Sequence, residues 1–555
     1  MRTADEPIYA ARVTEPQPKP TSQFALLTQR RFLPLFVTQL LGALNDNLLK
    51  IALVLLVTFG WGKEAGYDPA VLVPVCNGIL ILPFFLFSAT AGQLADKYDK
   101  AWLIRRVKLL EIAAMLLAAL GFAIGHLELL IGVLFLMGLQ STFFGPLKYS
   151  ILPGVLSESE LVGGNALIEM GTFLAVLVGT IVGGLLLELG DIGVTAVSGV
   201  LVTVSVLGWL TSRAVPDAAA GDPTLKVRLN PVVETLKIIR FAHKDETTFL
   251  SIMGNSWFWF FGATILTILP TWAAVELNAD KSVVTLFLTV FCVGIGGGSL
   301  ICEKLAHHRI ELALVPLGSI GMTLFAADLF FATSGAAHHS AALPVSWAEF
   351  AGSFGGLRVL FDLFAVSAFG GMYIVPLFAL IQERAPVAHR SRIIAANNIV
   401  NAAWMVASAL LTLALGSNGV SGAATFLILA VLNAVVALYI YNKLPLFVLR
   451  FIVWSLIHTL YRIRAEGTDK LPDEGPVVIV ANHVTFVDGL IVSAAMKRHV
   501  RFVMDHNYAN LPIMRYLIAK GGIIPIAPKR ESEAVLEQAF ETIAEAILAG
   551  EVVCI

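Results

Sequence analysis

Gly92–Lys100 reads "GQLADKYDK", and Gly298–Ala306, 206 residues further on, reads "GSLICEKLA". In both, an apolar run closes on glycine and leucine and then on an acid–lysine pair. A second pair of stretches follows in the same order: "PLKYSILP" from Pro146 and "PLFALIQERAP" from Pro376, 230 residues apart. The offset grows by 24, which fits extra residues in the loop around His338–Gly356. Two matches in one order point to a six-helix unit used twice, the plan of many transporters.

Around these stretches, apolar runs long enough to cross a bilayer recur. Twelve are expected, near 32–60, 69–93, 102–125, 127–147, 161–187, 192–213, 247–275, 282–304, 311–334, 354–381, 393–415 and 420–444. The largest polar connection, with Lys226, Arg228, Lys237, Arg240 and Lys244, divides a bundle over 30–444 into halves at about 30–213 and 245–444. Composition agrees. Hydrophobic residues make up 57% and charged residues 14%, against about 45–50% and about 25% in soluble domains. Ionised groups are costly in hydrocarbon, which accounts for the deficit. A net charge of −2 favours no nucleic-acid partner. Cys76, Cys292, Cys302 and Cys554 are scattered, so neither a disulfide framework nor a metal site is expected. His307–His308 and His338–His339 read as solvated loop residues. Residues 1–29 are polar, carry Pro16, Pro18 and Pro20, and read as a disordered cytosolic tail.

Basic residues set the orientation. Arg30 and Arg31 precede the first span, and Lys97, Lys100, Arg105, Arg106 and Lys108 follow the second. Lys304 and Arg309 follow the eighth; Arg384, Arg390 and Arg392 follow the tenth. With twelve spans all of these fall on one side, and the opposite loops hold little beyond Lys63 and Lys281. Both termini are expected in the cytoplasm.

Twelve spans in two halves, with Gly92, Leu94, Asp96 and Lys97 after the second, resemble the major facilitator superfamily. Asp99–Lys100 stand where the loop motif of that family often has Gly–Arg. "LLGALNDNLLK" (Leu40–Lys50) and "FFGPLKYSILP" (Phe143–Pro153) resemble the bacterial lysophospholipid transporters within it. The resemblance implies an all-α membrane protein, a twelve-helix bundle in two halves, carrying lysophospholipids to the inner leaflet of the bacterial inner membrane. A monomer is expected, with membrane lipids as its partners.

Several charges fall inside the spans. Asp46 lies near the middle of the first, about 20 Å from either end at ~1.5 Å per residue. A charge there costs ~3 kcal/mol and needs a partner or a wet cavity. Lys50 is one helical turn on. The two read either as a self-neutralising ion pair or as a floor for a zwitterionic headgroup, with Asn45 and Asn47 as hydrogen-bonding neighbours. Asn165 and Glu169 lie one turn apart in the fifth span, as do Asn397 and Asn401 in the eleventh. They read as the lining of a pseudo-twofold transport cavity, or as hydrogen-bonding glue between helices. Lys148, ending the fourth span, reads as a phosphate ligand or as a snorkelling lysine. Arg358 and Asp362 open the tenth span, placed to meet a lipid phosphate from the outer leaflet or to neutralise one another. Glu111 is expected to brace the Asp96 loop, Gly179, Gly183 and Gly294–Gly298 to pack helices closely, and Trp257 and Trp259 to make lipid or core contacts.

After Pro445, "LFVLRFIVWSLIHTLYRIRAEG" interleaves apolar residues with Arg450, His458, Arg462 and Arg464. Residues 445–466 read as an amphipathic helix lying on the cytoplasmic face. From 467 the pattern changes. "PVVIVAN", "HVRFVMD" and "GGIIPIAP" read as strands, with helices near 509–520 and 531–549, hence a partial α/β domain. His483 directly follows the first strand, and Asp488 comes five residues later. A base that takes a proton from an attacking hydroxyl, oriented by a carboxylate, uses such a pair. A buried histidine with a structural aspartate is the plainer reading.

Asn482, His483 and Asp488 resemble the N-H-x-x-x-x-D motif of glycerophospholipid acyltransferases. "GGIIPIAPKR" resembles their second motif, which implies that Lys529 or Arg530 meets the substrate phosphate. The same resemblance implies an acyl donor, a coenzyme A or acyl-carrier-protein thioester, with acyl-carrier protein a partner in the second case. "GEVVCI" breaks off within a strand pattern, and the family's Phe-Pro-Glu-Gly-Thr stretch is absent. Residues 467–555 are therefore expected to be the N-terminal part of such a domain, and this chain to transport without completing acyl transfer. The reading is a lysophospholipid transporter coupled to re-acylation in phospholipid repair. Its alternatives are a facilitator for another amphiphilic solute with a non-catalytic tail, and an enzyme anchored by a transporter fold.

Overall fold

In hydrocarbon every backbone polar group must be satisfied within the chain, and the apolar runs meet that demand as helices. The computed structural model describes residues 22–59, 61, 69–306, 310–334, 344–443, 445–461, 463, 465–467, 470–472, 475–482, 485, 487–496, 498–510, 515, 518 and 521–555. The expectations on Lys63, His307–His308, Arg309, His338–His339, Arg462, Arg464 and His483 lie outside the described residues. Among the described residues, twelve helices are long and apolar enough to span a bilayer. They are α1 (Leu33–Phe59), α2 (Pro69–Lys97), α3 (Lys100–Ile124), α4 (Leu127–Ser150), α5 (Glu158–Leu187) and α6 (Gly193–Ser212). The second half holds α7 (Glu246–Glu276), α8 (Lys281–Ala306), α9 (Leu314–Ser334), α10 (Phe354–Arg384), α11 (Arg390–Ser417) and α12 (Gly422–Lys443). The amphipathic helix Pro231–Ala242 connects the halves and packs on α2 and α11.

Polar residues mark the helix starts, where backbone N–H groups lack partners. Asp99 accepts from Trp102 N at 2.7 Å to begin α3, and Ser157 with Glu160 forms a capping box on α5. Asp245 begins α7 and also takes both arms of Arg384 at 2.8 and 2.9 Å, tying the start of α7 to the end of α10. Part of the tail expected to be disordered up to residue 29 is folded. Gln23–Thr28 is a 3-10 helix whose Leu26 enters the core.

The halves meet at the end of the bundle that carries the basic residues. Asp96, at the end of α2, accepts from the backbone N–H of Ser391 at 2.9 Å and of Arg392 at 3.3 Å, and from Arg392 Nε at 2.8 Å. The first turn of α11 is thus capped by a carboxylate from the other half. Asn165 and Gln382 exchange two hydrogen bonds, at 2.7 and 3.0 Å, between α5 and α10. The rings of Tyr149 and Phe378 stack at 4.4 Å between α4 and α10. A further hydrogen bond between the halves near this end runs from Gln23 Nε2 to Leu300 O, at 3.1 Å.

The last part of the chain is smaller. Helix α13 (Pro445–Leu460) packs on α9 and α12, with Val453 and Ile457 buried. Ile452, Leu456 and Leu460 form an exposed stripe on it. Beyond lie β1 (Val477–Ile479), α14 (Asp488–Ala495), β2 (Val500–Asp505), β3 (Ile524–Ile526), α15 (Glu533–Leu548) and β4 (Val552–Cys554). The sheet is parallel in the order β1-β4-β2-β3, so β4 is paired on both sides. Arg450 of α13 donates to Met496 O at 3.3 Å, joining the helix to this domain.

At Gly92 the halves come into close contact. A Cβ there would stand 2.7 Å from Ala395 Cβ and 3.0 Å from Arg392 Cα, so the contact tolerates no side chain. Gly92→Val should force α2 and α11 apart at the basic end. Electron spin resonance distances between labels at positions 97 and 390 should lengthen; an unchanged distribution would count against this closure.

Candidate functional site

Between the halves, just beyond the closing contacts, lies a cavity of about 310 Å³. Its wall is amphipathic. Leu80, Ile81 and Phe84 of α2, Phe144 of α4, Trp259 of α7 and Met405 of α11 form the apolar side. Asp46, Asn47 and Lys50 of α1, Ser141 and Lys148 of α4 and Asn401 of α11 form the polar side. Tyr149 and Phe378, the stacked pair, line it as well.

Lys50 and Lys148 are unpaired. Among the described residues neither ammonium has a carboxylate oxygen within 4.0 Å. Lys148 Nζ lies over the Tyr149 ring at 4.7 Å. Asp46 Oδ2 accepts from Ser141 Oγ at 2.7 Å, while its Oδ1 is buried without a partner. The self-neutralising Asp46–Lys50 pair is therefore not formed. One turn, ~6 Å, separates these two residues along α1, and Lys148 lies two turns, ~10 Å, nearer the basic end than Ser141. The charges form a ladder of plus, minus and plus down the cavity.

Other expected cavity residues lie elsewhere, for identifiable reasons. Asn45 faces away from the cavity, donating to Glu111 Oε1 at 3.2 Å and Leu201 O at 3.1 Å. Asn165 is engaged in the clasp with Gln382. Glu169 is buried beneath the floor and accepts from Tyr149 OH at 2.5 Å. Asn397 accepts from Asn255 at 2.6 Å, joining α11 to α7. Asn401 reaches the cavity and also accepts from Ser256 at 2.7 Å. The pseudo-twofold lining is thus corrected: three of its four residues are spent on helix contacts. Arg358 is held by Asp328 of α9 at 2.5 and 3.2 Å, with Asp362 buried beside them, and none of the three lines the cavity. Trp257 donates to Asn433 at 2.7 Å, as a core residue.

Lys108 and Glu111 were misplaced by sequence reasoning. Lys108 is not a loop cation, and Glu111 does not brace Asp96. Both are fully buried in α3, 2.6 Å apart. Gln140 donates to Glu111 Oε2 at 3.0 Å, and Lys108 Nζ sits 5.1 Å from the Phe144 ring. The available signal was the spacing, a lysine and a glutamate three residues apart inside an apolar run, which puts them on one helix face.

In the last domain, parallel pairing brings the carboxyl ends of β1 and β3 to one edge, where open α/β sheets bind ligands. Asn482 follows β1, and Lys529 and Arg530 follow β3. Asp488 accepts from Thr485 N at 2.7 Å and Thr485 Oγ1 at 2.8 Å. Lys529 pairs with Glu533 at 2.6 Å on the surface, and Arg530 is exposed.

The sequence model of the Major Facilitator Superfamily matches residues 35–409, and that of a family described as Acyltransferase matches 462–555. The lysophospholipid transporter LplT of Cronobacter sakazakii (strain ATCC BAA-894) is 29% identical over 361 residues, covering 64% of this chain and 81% of that protein. The LplT of Enterobacter sp. (strain 638) is 28% identical over 349 residues, covering 62% and 78%. Among solved structures, the outward conformation of the transporter FucP superposes with a TM-score of 0.58 at 13% identity, covering 74% of this chain and 98% of that one. A bacterial homologue of ferroportin in an outward-facing state gives 0.55 at 14%, covering 76% and 100%.

The two kinds of buried lysine should respond oppositely to neutralisation. Lys108→Met strands Glu111, and breaking such a pair costs ~3–5 kcal/mol. Lys50→Met removes an unpaired charge. Thermal unfolding of the purified protein should fall sharply for the first and hold or rise for the second; equal losses would contradict the pairing described.

His499 offers a test of the last domain. Burial, first of all, holds its imidazole below the ordinary value, while Nε2 lies 2.8 Å from Gly521 O. A histidine kept neutral by folding adds stability above its unfolded pKa, about 6.5, that is lost as pH falls below it. Hydrogen exchange across β2 and β3 should quicken below that pH, and His499→Gln should flatten the dependence.

Proposed function

The chain belongs to the major facilitator superfamily, and on that premise we propose that it carries lysophospholipids across the bacterial inner membrane to its cytoplasmic leaflet. The observation that carries this reading is the pair of lysines, unpaired among the described residues, beside a half-satisfied aspartate in an amphipathic cavity. Buried ammonium groups call for an anion. A phosphodiester supplies one, an ammonium on the headgroup would meet the free oxygen of Asp46, and the apolar wall suits an acyl chain. The names of the relatives as lysophospholipid transporters support the same substrate.

With the basic end in the cytoplasm, both termini lie there and the cavity is reached from the outer side. The phosphate engages Lys50 first and then Lys148, deeper by about two to three turns. Release to the inner leaflet requires the contacts at the basic end to part: Asp96 from α11, Asn165 from Gln382, and Tyr149 from Phe378.

The last domain then replaces the missing acyl chain in the full reaction. His483 takes the proton of the glycerol hydroxyl, whose oxygen attacks the thioester carbonyl. The C–S bond breaks, and the thiolate leaves and takes up the proton. Asp488 orients the His483 imidazole, and Lys529 or Arg530, both on the surface, meets the phosphate. The donor is a coenzyme A or acyl-carrier-protein thioester. The exposed stripe of α13 lies in the cytoplasmic surface of the bilayer, holding the domain beside its lipid.

Reconstitution in proteoliposomes with headgroup-labelled lysophospholipid tests the reading. Lys148→Gln and Asp46→Asn should each slow transport about tenfold or more, ~1.4 kcal/mol of lost interaction. Asp46→Asn/Lys50→Gln should not recover, because the two form no pair. Wild-type rates in both single variants, or recovery in the double, would defeat it.

A further inference from the structure

The transport reading leaves the Lys108–Glu111 pair without a role, yet the pair reaches the cavity along a single chain of side chains. Gln140 Nε2 donates to Glu111 Oε2 at 3.0 Å, which fixes the amide and leaves its Oε1 facing Ser141. Ser141 Oγ lies 3.2 Å from that Oε1 and 2.7 Å from Asp46 Oδ2. A hydroxyl has one proton to give. The ionised carboxylate is the stronger acceptor, and the shorter distance agrees. Gln140 Oε1 is the second acceptor, close enough to take the hydroxyl if a cation engages Asp46. The serine therefore keeps a hydrogen bond in either state.

The far end of the chain cannot turn freely. Glu111 Oε2 is shared by Lys108 and Gln140, and Oε1 accepts from Asn45, which also bonds Leu201 O. Side chains of α1, α3 and α4 converge on this one carboxylate, and Asn45 ties it to the backbone of α6. Lys108 also stands directly behind the cavity wall: a Cβ on Gly42 would lie 2.5 Å from its Nζ. Gly42 is one turn before Asp46 on α1. The near end of the chain is different. Asp46 Oδ1 is buried and has no partner.

We propose that Ser141 and Gln140 are positioning residues that aim Asp46 at the ammonium of the substrate headgroup, with Lys108–Glu111 as their fixed anchor. The inference rests on the transport reading above. It assigns recognition of the headgroup amine to the chain Glu111–Gln140–Ser141–Asp46 and recognition of the phosphate to Lys50 and Lys148, which the chain does not touch. The two functions are therefore separable by substrate.

The test compares two lysophospholipids with the same acyl chain, one with an ethanolamine headgroup and one with a glycerol headgroup, in proteoliposomes of the full chain. Ser141→Ala should raise KM for the ethanolamine lipid about tenfold, the loss of one hydrogen bond to a charged group. KM for the glycerol lipid and both kcat values should stay within about twofold, since the phosphate contacts remain. Ser141→Thr keeps the hydroxyl and should restore the wild-type KM. Gln140→Met, similar in size, should shift KM in the same direction by less, and it stands in if Ser141→Ala does not fold. Equal KM changes for the two lipids, or a wild-type KM in Ser141→Ala, would overturn the positioning role while leaving transport intact. A wild-type chain that moves neither lipid overturns the transport reading and this inference with it.

Discussion

Lys108 and Glu111 lie 2.6 Å apart, both fully buried, in a place where either charge alone would be costly. That constraint, the cost of an unpaired charge in a low-dielectric interior, separates paired charges of the bundle from those that face the cavity. The buried pair in α3, Asp245 with Arg384, Asp328 with Arg358 and Asn165 with Gln382 each satisfy one another. Other polar atoms are left short, Glu169 Oε2 and Asp362 Oδ2 among them. Lys50, Lys148 and the unpartnered oxygen of Asp46 are set apart because all three residues face one cavity, and a ligand that completes them is the simplest physical reason for their persistence.

The second constraint is that the halves close at one end only. The N-terminal turn of a helix exposes donors and a partial positive charge. In α11 these are met by Asp96 from the opposite half rather than by a residue of its own. Opening that end uncaps a helix, breaks a reciprocal amide pair and unstacks two rings together. The closed arrangement is therefore cooperative, and energy must come from elsewhere in the cycle to leave it. Tyr149 is well placed to transmit that energy, because its ring is part of the closure and its neighbour Lys148 is part of the cavity.

Much of the architecture was legible in the sequence because it follows from one-dimensional quantities. Apolar run length places twelve helices, and the repeated motif stretches divide them into halves. Strand-sized apolar runs separated by loops foretell the small sheet, including Val500–Asp505. The cavity was legible only in part. Asp46, Lys50 and Lys148 stand out as charges in apolar runs, and they do line it. Asn165, Glu169 and Asn397 stand out equally, and they do not. Helical spacing reveals that two side chains share a face, but not whether that face meets a cavity or another helix. For Asn165 the deciding fact is Gln382, 217 residues away, and no local pattern contains it. Ser141 was invisible for the opposite reason: a serine in an apolar helix carries no signal of its own until Asp46 is found beside it.

The link between the two parts of the chain has a mechanical consequence. Helix α13 packs on α9 and α12, both in the second half, and carries the last domain through α14 and the Arg450–Met496 bond. In a transporter whose halves rock against each other, that domain must ride with the second half. The charged ladder belongs to the first half, on α1 and α4. On the proposed reading, substrate is therefore held by one half while the domain that matches the acyltransferase family is carried by the other. The opening at the basic end that frees the lipid also separates these two bodies. Direct hand-over from Lys148 to the sheet edge would have to cross that widening gap. A lipid released into the cytoplasmic leaflet need not, because it stays in the plane on which α13 lies. Tethering then raises the local concentration of lipid near the domain without any channel. The geometry of α13 favours this arrangement, in which coupling comes from shared membrane rather than from a passage through protein.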